Sequence, residues 1–179
     1  MNPPNENREV AMDKTSEMET PSGEALRAPP DEPKNILVAV DASPAAERLI
    51  DMAGRMGRAM PEAVIHVLHV FRASRWEHSR AGAPLPDQSE ALEDAKDHLA
   101  YCARSLRRRT RTQVVEHFAV GDATAEVVRS AAQLDADLLV IGTHDHVGFE
   151  RFLLGSVAEA LMRKVGCAVL VVRPKAHKS

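Results

Sequence analysis

The stretch Asn35-Ile-Leu-Val-Ala-Val-Asp-Ala-Ser-Pro44 decides the fold, because it joins a buried strand directly to the start of a helix. Residues 36–40 form an unbroken apolar run, which is typical of a strand that is covered on both faces. Ser43 is a good helix N-cap, and Pro44 suits the first helical position because its missing N–H is not needed there. The stretch predicts a strand that ends at Asp41 and a helix that begins with Ser43 and Pro44.

The same pattern of an apolar run followed by helical periodicity repeats along the rest of the chain. Further strands are predicted at 63–70, 114–120, 138–141 and 168–172. The strand predicted at 114–120 alternates between apolar and polar residues, as an edge strand does. The order β-α-β-α-β-α-β-α-β predicts a doubly wound α/β fold, in which a single parallel sheet with right-handed crossovers carries helices on both faces.

Apolar residues three and four positions apart define the buried sides of the predicted helices. The third helix is capped by Asp122, and the fourth covers about 155–165. The buried positions predicted for the first three helices are Ala46, Leu49, Ile50, Ala53 and Met56, then Leu92, Ala95, Leu99, Cys102, Ala103 and Leu106, then Val127, Val128, Ala131, Ala132 and Leu134.

Length and composition restrict the class of protein. A chain of 179 residues suits one domain with a substantial core. Its 23 basic and 26 acidic residues argue against a dedicated nucleic-acid binder, and no apolar run approaches the roughly 18 residues of a membrane-spanning helix. Two cysteines, Cys102 and Cys167, cannot form a disulfide framework, and the N-terminus has no apolar signal region. We therefore expect a cytoplasmic protein with reduced thiols that binds neither nucleic acid nor membranes.

Residues 1–34 differ in composition from the rest of the chain. They hold six of the 11 prolines, eight acidic and four basic residues, and no Ile, Phe, Trp or Tyr. Such a segment buries too little apolar surface to offset the entropy lost on ordering. The sequence therefore predicts a disordered acidic tail at 1–34, a folded domain at 35–174 and a short C-terminal tail at 175–179.

In a doubly wound sheet, ligands bind at the carboxyl ends of strands where the winding direction changes, which indicates the residues after Val40 and after Ile141. Asp41 can accept hydrogen bonds there from a ribose or a base amino group. Gly142 allows the backbone to turn sharply and approach a ligand, and Gly155-Ser156-Val157 offers free N–H groups and a hydroxyl at a helix N-terminus, which attract anions. Neither G-x-G-x-x-G nor G-x-x-x-x-G-K-[ST] occurs. Taken singly, these residues are a turn and an N-cap, but their joint position favours a binding site.

Four stretches of the chain resemble the universal stress protein family. They are Asn-Ile-Leu-Val-Ala-Val-Asp-Ala-Ser (35–43), Asp137-Leu-Leu-Val-Ile-Gly-Thr-His, Leu153-Leu-Gly-Ser-Val-Ala-Glu and Val169-Leu-Val-Val-Arg. The resemblance extends over residues 34–174. It implies the family's five-stranded parallel sheet, with strand order 3-2-1-4-5, and a role in the stress response.

The ATP-binding branch of that family implies a phosphate motif of Gly, two residues, Gly, nine residues and then Gly-Ser or Gly-Thr. Gly142 matches the first glycine and Gly155-Ser156 the final pair, whereas Asp145 stands in place of the middle glycine. The resemblance carries the remaining nucleotide contacts onto Ala39, Val40 and Asp41 for adenine and ribose, onto Val70 for packing against adenine, and onto Ile141 and Val157 for the lining of the pocket.

The aspartate at position 145 changes what the phosphate motif is expected to do. Aspartate is one of the few non-glycine residues that tolerate a positive φ, so the loop shape can survive. Its carboxylate, however, would repel the phosphates of a bound nucleotide. A divalent cation such as Mg²⁺ could bridge the two, and Arg151 could also compensate. We therefore expect weakened, Mg²⁺-dependent binding of ATP.

The remaining polar clusters do not predict a catalytic or metal site. His144 and His146 lie in one loop, but two side chains in a loop do not make a metal site. His66 and His69 fall on an apolar strand and are expected as hydrogen-bonded core residues. No Ser-His-Asp or Cys-His arrangement can be assembled. A basic cluster near the end of the second helix is expected to be solvated, and it consists of Arg104, Arg107, Arg108, Arg109 and Arg111.

The last predicted strand, 168–172, is an apolar edge, and in the family this strand mediates homodimers. The leading hypothesis is a cytoplasmic stress-response protein that binds ATP or AMP without a catalytic role and forms a homodimer through 168–173. Two alternatives stay open: a nucleotide-free dimeric interaction module with the same fold, and a slow ATPase.

Overall fold

Strands and helices alternate along the chain as the sequence predicts. The computed structural model describes residues 32–43, 45–72, 88–143 and 155–173, so most of the predicted tails lie outside the described residues. The elements are β1 (Asn35–Val40), α1 (Ala46–Ala59), β2 (Val64–Phe71), α2 (Ser89–Arg107), β3 (Gln113–Val120), α3 (Ala123–Gln133), β4 (Leu138–Gly142), α4 (Ser156–Lys164) and β5 (Ala168–Val172). The bounds of the five strands agree with the predicted bounds to within one residue at each end.

The five strands form one parallel sheet in the order β3-β2-β1-β4-β5. This order confirms the one that the family resemblance implies, and it confirms that β3 is an edge strand. The chain builds outward from β1 to β3 and then crosses to β4 on the other side of β1. Ala39 of β1 lies opposite Ile141 of β4, so the carboxyl ends of these two strands meet where the winding direction changes.

Two apolar clusters cover the two faces of the sheet, because successive side chains of a strand point to opposite faces. The α1/α2 cluster includes Ile36, Val38, Val40, Leu49, Ile50, Ile65, Val67, Leu99 and Leu106. The α3/α4 cluster includes Leu37, Leu68, Val127, Ala131, Leu139, Ile141, Ala158 and Leu161. Strand β1 contributes to both clusters, which explains why its sequence is apolar without interruption.

Helix α1 begins later than the sequence predicts. Its first residue is Ala46 and its N-cap is Ala45, whereas the predicted start was at Ser43 and Pro44, and Pro44 lies outside the described residues. The Ser43 carbonyl accepts a hydrogen bond from the Ala46 N–H at 3.0 Å, and Ser43 Oγ accepts one from the Ala45 N–H at 3.2 Å. Ser43 therefore satisfies amides as a cap does, but it does so in a tight turn that precedes the α-helix.

The sides of the helices that were predicted to be buried are buried or half-buried, with the exception of Ala132. Asp122 caps α3, since its Oδ1 accepts a hydrogen bond from the Ala125 N–H at 2.9 Å. Ala132 is exposed rather than buried, because it lies about 100° around the helix from the buried Ala131.

Cys102 is buried, Cys167 is half-buried, and both are free thiols. In the part of the chain that the structure describes, none of the helices has the length and apolar character needed to cross a membrane.

Candidate functional site

The predicted site residues of β1, β2 and β4 lie at the carboxyl ends of their strands, along one edge of the sheet. Asp41 follows the last residue of β1, and Gly142 is the last residue of β4. Gly142 does not adopt a positive φ, and a Cβ there would lie in ordinary contact, 3.5 Å from Leu49 Cδ1. Within the described residues, neither backbone strain nor packing requires a glycine at 142, and the sharp turn expected there stays a prediction because residues 144–154 lie outside the described part of the chain.

Four of the predicted apolar contacts lie on one face of the sheet. Ala39, Val70 and Ile141 are each the second-last residue of a strand, and Val157 is the second residue of α4. Ile141 is buried in the α3/α4 cluster, and the other three are half-buried and pack against it. The structure thus places a small apolar surface beside the switch point, with α4 beginning next to it.

The Val40 side chain lies on the opposite face. It is 4% exposed and belongs to the α1/α2 cluster. Any contact that Val40 makes with a ligand beside Ala39 and Ile141 would therefore come from its backbone. This separation follows from the alternation of side chains along β1.

Asp41 is held in a defined turn between β1 and α1. Its Oδ1 accepts a hydrogen bond from the Ser43 N–H at 3.1 Å, which is an Asx turn. Its backbone carbonyl accepts a hydrogen bond from His98 Nε2 of α2 at 2.8 Å. Sequence patterns did not identify His98 as a neighbour of this site, because it lies 57 residues away on an otherwise ordinary amphipathic helix.

Within the described residues, no side chain caps the N-terminus of α4, and residues 144–154, which precede it, lie outside the described part of the chain. Gly155 is the N-cap and has no side chain to bond the first amides, while its carbonyl accepts from the Glu159 N–H at 3.0 Å. Ser156 is exposed at the first helical position. Unpaired N–H groups and the helix dipole together favour negative charge at such an end.

The centre of the predicted phosphate loop lies outside the described residues. This applies to Asp145 and to the neighbouring His144, His146 and Arg151. Among the described ranges there is no group of three or more His, Cys, Asp or Glu side chains that could hold a metal ion.

The histidines of β2 are hydrogen-bonded core residues, as predicted. His66 is 9% exposed, and its Nδ1 lies 2.9 Å from Nε2 of His117 on β3. His69 is 6% exposed, and its Nδ1 donates to the Val40 carbonyl at 3.0 Å. Burial lowers the pKa of all three imidazoles below the ordinary value of 6.5, and the positive charge that His117 can acquire lowers the pKa of His66 further. The three rings are therefore neutral at pH 7.

We expect the free energy of unfolding to decrease as the pH falls below about 6.5. The unfolded chain binds protons on these histidines at a higher pH than the folded chain does, so acid favours unfolding until the lowered folded-state pKa values are reached. Urea unfolding at pH 7.5, 6.5 and 5.5 measures this dependence. His117→Gln, which keeps an amide near the position of Nε2 and cannot be protonated, should show a smaller loss over the same interval. An equal loss in both proteins would assign the pH dependence to other groups.

The basic cluster is only partly solvated. Arg107 pairs with Glu116 at 2.7 Å, and Arg109 pairs with Glu47 at 3.1 Å and Asp51 at 2.9 Å. The expectation of a solvated helix end is confirmed for Arg107, whose side chain is 48% exposed despite its ion pair, whereas that of Arg109 is 32% exposed. The sequence did not predict these ion pairs with carboxylates on β3 and α1.

Comparison with known proteins identifies relatives of the whole described domain. The sequence model of a family described as "Universal stress protein family" matches residues 32–173. Universal stress protein A homolog 1 of Coxiella burnetii is 32% identical over 148 residues, which cover 78% of this chain and 95% of that protein. A universal stress protein structure from Archaeoglobus fulgidus matches with a TM-score of 0.62 and 24% identity, covering 76% of this chain and 96% of that one. The structure of the Archaeoglobus fulgidus protein in complex with dAMP matches with a TM-score of 0.57 and 25% identity, covering 76% and 95%.

Proposed function

The chain belongs to the universal stress protein family, and we propose that it binds an adenine nucleotide, ATP or AMP, in a sensing or regulatory role. The observation that carries the proposal is the common position of Ala39, Val70, Ile141 and Val157 beside the N-terminus of α4. An apolar surface next to an anion-favouring helix end suits a molecule that is a flat ring at one end and phosphate at the other. The relative from Archaeoglobus fulgidus in complex with dAMP supports the same ligand class.

Each part of the nucleotide has a partner in this proposal. The adenine ring packs between Val70 and Ile141, and the backbone of Ala39 and Val40 and the carboxylate of Asp41 take the base and ribose. The phosphates lie against the backbone at Gly142 and against the amides and hydroxyl of Gly155 and Ser156. Val157 closes the apolar side of the pocket. A bound Mg²⁺ would supply positive charge between the phosphates and Asp145, since hard cations prefer carboxylate and phosphate oxygens.

Native mass spectrometry with and without Mg-ATP tests this proposal, because it reports nucleotide occupancy and subunit count together. The wild type should gain one nucleotide per chain in a saturable manner. Ala39→Phe places a large ring where adenine is expected and should abolish the gain. Ala136→Phe is the matched control, because Ala136 is also half-buried against the α3/α4 cluster but lies before β4, at the opposite edge of the sheet. Equal occupancy in the two variants would place the nucleotide elsewhere, and no saturable gain in the wild type would reject nucleotide binding.

We also propose that the protein is a homodimer formed through residues 168–173. In the described part of the chain β5 pairs with β4 on one side, and its other side is an edge. Four of its five residues are half-buried valine or leucine, an apolar edge that favours pairing with a second copy. If the protein acts as a nucleotide-free interaction module, this dimer would be its functional form. We also propose a cytoplasmic location, which accords with the free thiols of its two cysteines.

Val171→Lys should convert the dimer to a monomer, because it places a charge in an edge that must pair with an identical edge. Multi-angle light scattering measures the mass directly. Val120→Lys is the control, since Val120 is 54% exposed on the other edge strand, β3. A dimer that survives Val171→Lys, in a variant that circular dichroism shows to be folded, would place the interface elsewhere.

A slow ATPase is the remaining alternative, and it has less support. In the described part of the chain, no side chain makes a cap hydrogen bond at the α4 N-terminus where Ser156 lies, and the sequence offers no identifiable general base. A turnover assay with Ser156→Ala as the comparison addresses this alternative. Turnover that disappears in the variant would favour an enzymatic role over a sensing one.

A further inference from the structure

Two histidines from different elements hold the carbonyl groups at the end of β1. Nδ1 of His69, on β2, lies 3.0 Å from the Val40 carbonyl oxygen, and Nε2 of His98, on α2, lies 2.8 Å from the Asp41 carbonyl oxygen. We propose that His69 and His98 are positioning residues for the nucleotide site, which fix the backbone that presents Asp41. The inference rests on the proposed function for its ligand and goes beyond it in adding two residues on the far side of the sheet from the apolar pocket.

The two carbonyls lie where the strand ladder ends. The pairing of β1 with β4 stops at Ala39, and its pairing with β2 stops at Val40. Val40 is still paired with β2, whereas Asp41 is the first residue beyond both pairings. The two imidazoles add side-chain hydrogen bonds to the carbonyls of these two residues, so they extend the hydrogen-bonded backbone of β1 to the residue that the proposed site uses.

The donor roles define the state of each ring. A carbonyl only accepts, so His69 carries its proton on Nδ1 and His98 carries one on Nε2, assignments that follow from the partners. Protonation of the second nitrogen leaves either donor in place. The contacts therefore do not depend on the charge of the rings, and their role is geometric.

Neighbouring groups hold the two rings in place. The rings of His69 and His98 meet edge to face with centroids 5.8 Å apart, and Phe118 stacks on His69 at 6.0 Å. Cys102 Sγ lies 3.5 Å from His98 Nε2. Burial, with smaller contributions from the charges of Glu47 and Asp41, raises the pKa of the Cys102 thiol to about 11. The thiol is therefore uncharged at neutral pH and does not attract the His98 proton away from the carbonyl.

The consequence for the site is the orientation of Asp41. Its carbonyl is fixed by His98, and its Oδ1 is fixed by the Ser43 N–H at 3.1 Å. The two contacts set the peptide plane after Asp41 and the side chain together. Loss of the hydrogen bond from His98 to the Asp41 carbonyl should therefore loosen the Asx turn as well, because both contacts belong to Asp41.

Hydrogen exchange and calorimetry together test the inference. In the unliganded protein, His98→Leu and His69→Leu should raise the exchange rate of the Ser43, Ala45 and Ala46 amides by about tenfold, the size expected for one lost hydrogen bond. Their affinity for Mg-ATP should fall by about tenfold. His98→Gln and His69→Asn, whose amide nitrogens occupy the places of Nε2 and Nδ1, should restore both quantities to within about threefold.

The control is His117→Leu, which removes the hydrogen bond to His66 in the same buried region but touches no carbonyl of β1. If it accelerates these amides as much as His98→Leu does, the effect is general destabilisation and the inference is wrong. It is equally wrong if the Gln and Asn variants fail to restore the protection. A wild type that binds no adenine nucleotide would reject the proposed function, and with it the idea that the histidines position a nucleotide site. If its Ser43, Ala45 and Ala46 amides are still protected from exchange, and His98→Leu still removes that protection, the histidines hold the backbone without serving a nucleotide.

Discussion

Replacing Asp145 by glycine should tighten ATP binding by several-fold to several-hundred-fold. The phosphate motif that the resemblance to the ATP-binding branch implies has glycine at this position, so the aspartate would introduce a negative charge where phosphate is expected. Two like charges about 4 Å apart repel by about 1 to 4 kcal/mol at effective dielectric constants between 80 and 20. At about 1.4 kcal/mol for each factor of ten, this repulsion corresponds to the stated range of affinity.

Calorimetric titration of ATP against three proteins separates charge from backbone freedom. Asp145→Asn removes the charge and still tolerates a positive φ, so it should gain affinity as the glycine variant does if repulsion is the cause. Asp135→Asn is the matched control, because it removes the same charge from the turn before β4, at the opposite edge of the sheet, and its φ of 45° suits asparagine. Added Mg²⁺ should narrow the difference between wild type and Asp145→Gly. A glycine variant that binds no more tightly than the wild type would refute the repulsion.

Local patterns in the sequence were sufficient to predict the alternation of strands and helices along the chain, whereas the order of the strands in the sheet came from the family resemblance. Residues 36–40 are apolar without a break because β1 is covered by helices on both faces. The inner sides of the helices could be predicted because their apolar residues recur at the helical period. The apolar part of the candidate site followed from the same regularity, together with the family resemblance, since a second-last strand residue such as Ala39 or Ile141 has its face fixed by alternation.

Contacts between distant elements could not be predicted in this way. The ion pairs of Arg109 with Glu47 and Asp51 join the turn after α2 to α1, and the bond from His98 to the Asp41 carbonyl joins α2 to the end of β1. The local sequence around each of these residues does not indicate its partner, and the contacts form because the fold brings α1 and α2 together. The late start of α1 has a different, local cause, since the Asx turn between Asp41 and Ser43 precedes the helix and occupies the amide of Ser43.

Gly57→Ala should lower the free energy of unfolding by about 2 to 4 kcal/mol, although alanine favours a helix over glycine by about 1 kcal/mol. Gly57 lies inside α1 and is buried. A Cβ there would lie 2.6 Å from Thr110 Oγ1, 2.9 Å from Ile65 Cδ1 and 3.0 Å from Thr112 Oγ1. The Gly57 carbonyl also accepts a hydrogen bond of 2.6 Å from Thr112 Oγ1. The added methyl would therefore displace buried threonine hydroxyls that hydrogen-bond to each other and to the Gly57 carbonyl, and this cost exceeds the gain in helix propensity.

Urea unfolding of Gly57→Ala and Gly166→Ala distinguishes packing from propensity. A Cβ at Gly166 meets no atom within 4 Å, so that variant should stay within about 0.5 kcal/mol of the wild type. Thr110→Ala removes the hydroxyl closest to the new methyl, and combining it with Gly57→Ala should cost less than the sum of the two single changes. A Gly57→Ala protein that is more stable than the wild type would mean that helix propensity outweighs the contact. Strict additivity in the double variant would mean that Thr110 is not the obstacle, and the destabilisation would then have to come from Ile65 and Thr112, the other two groups around Gly57.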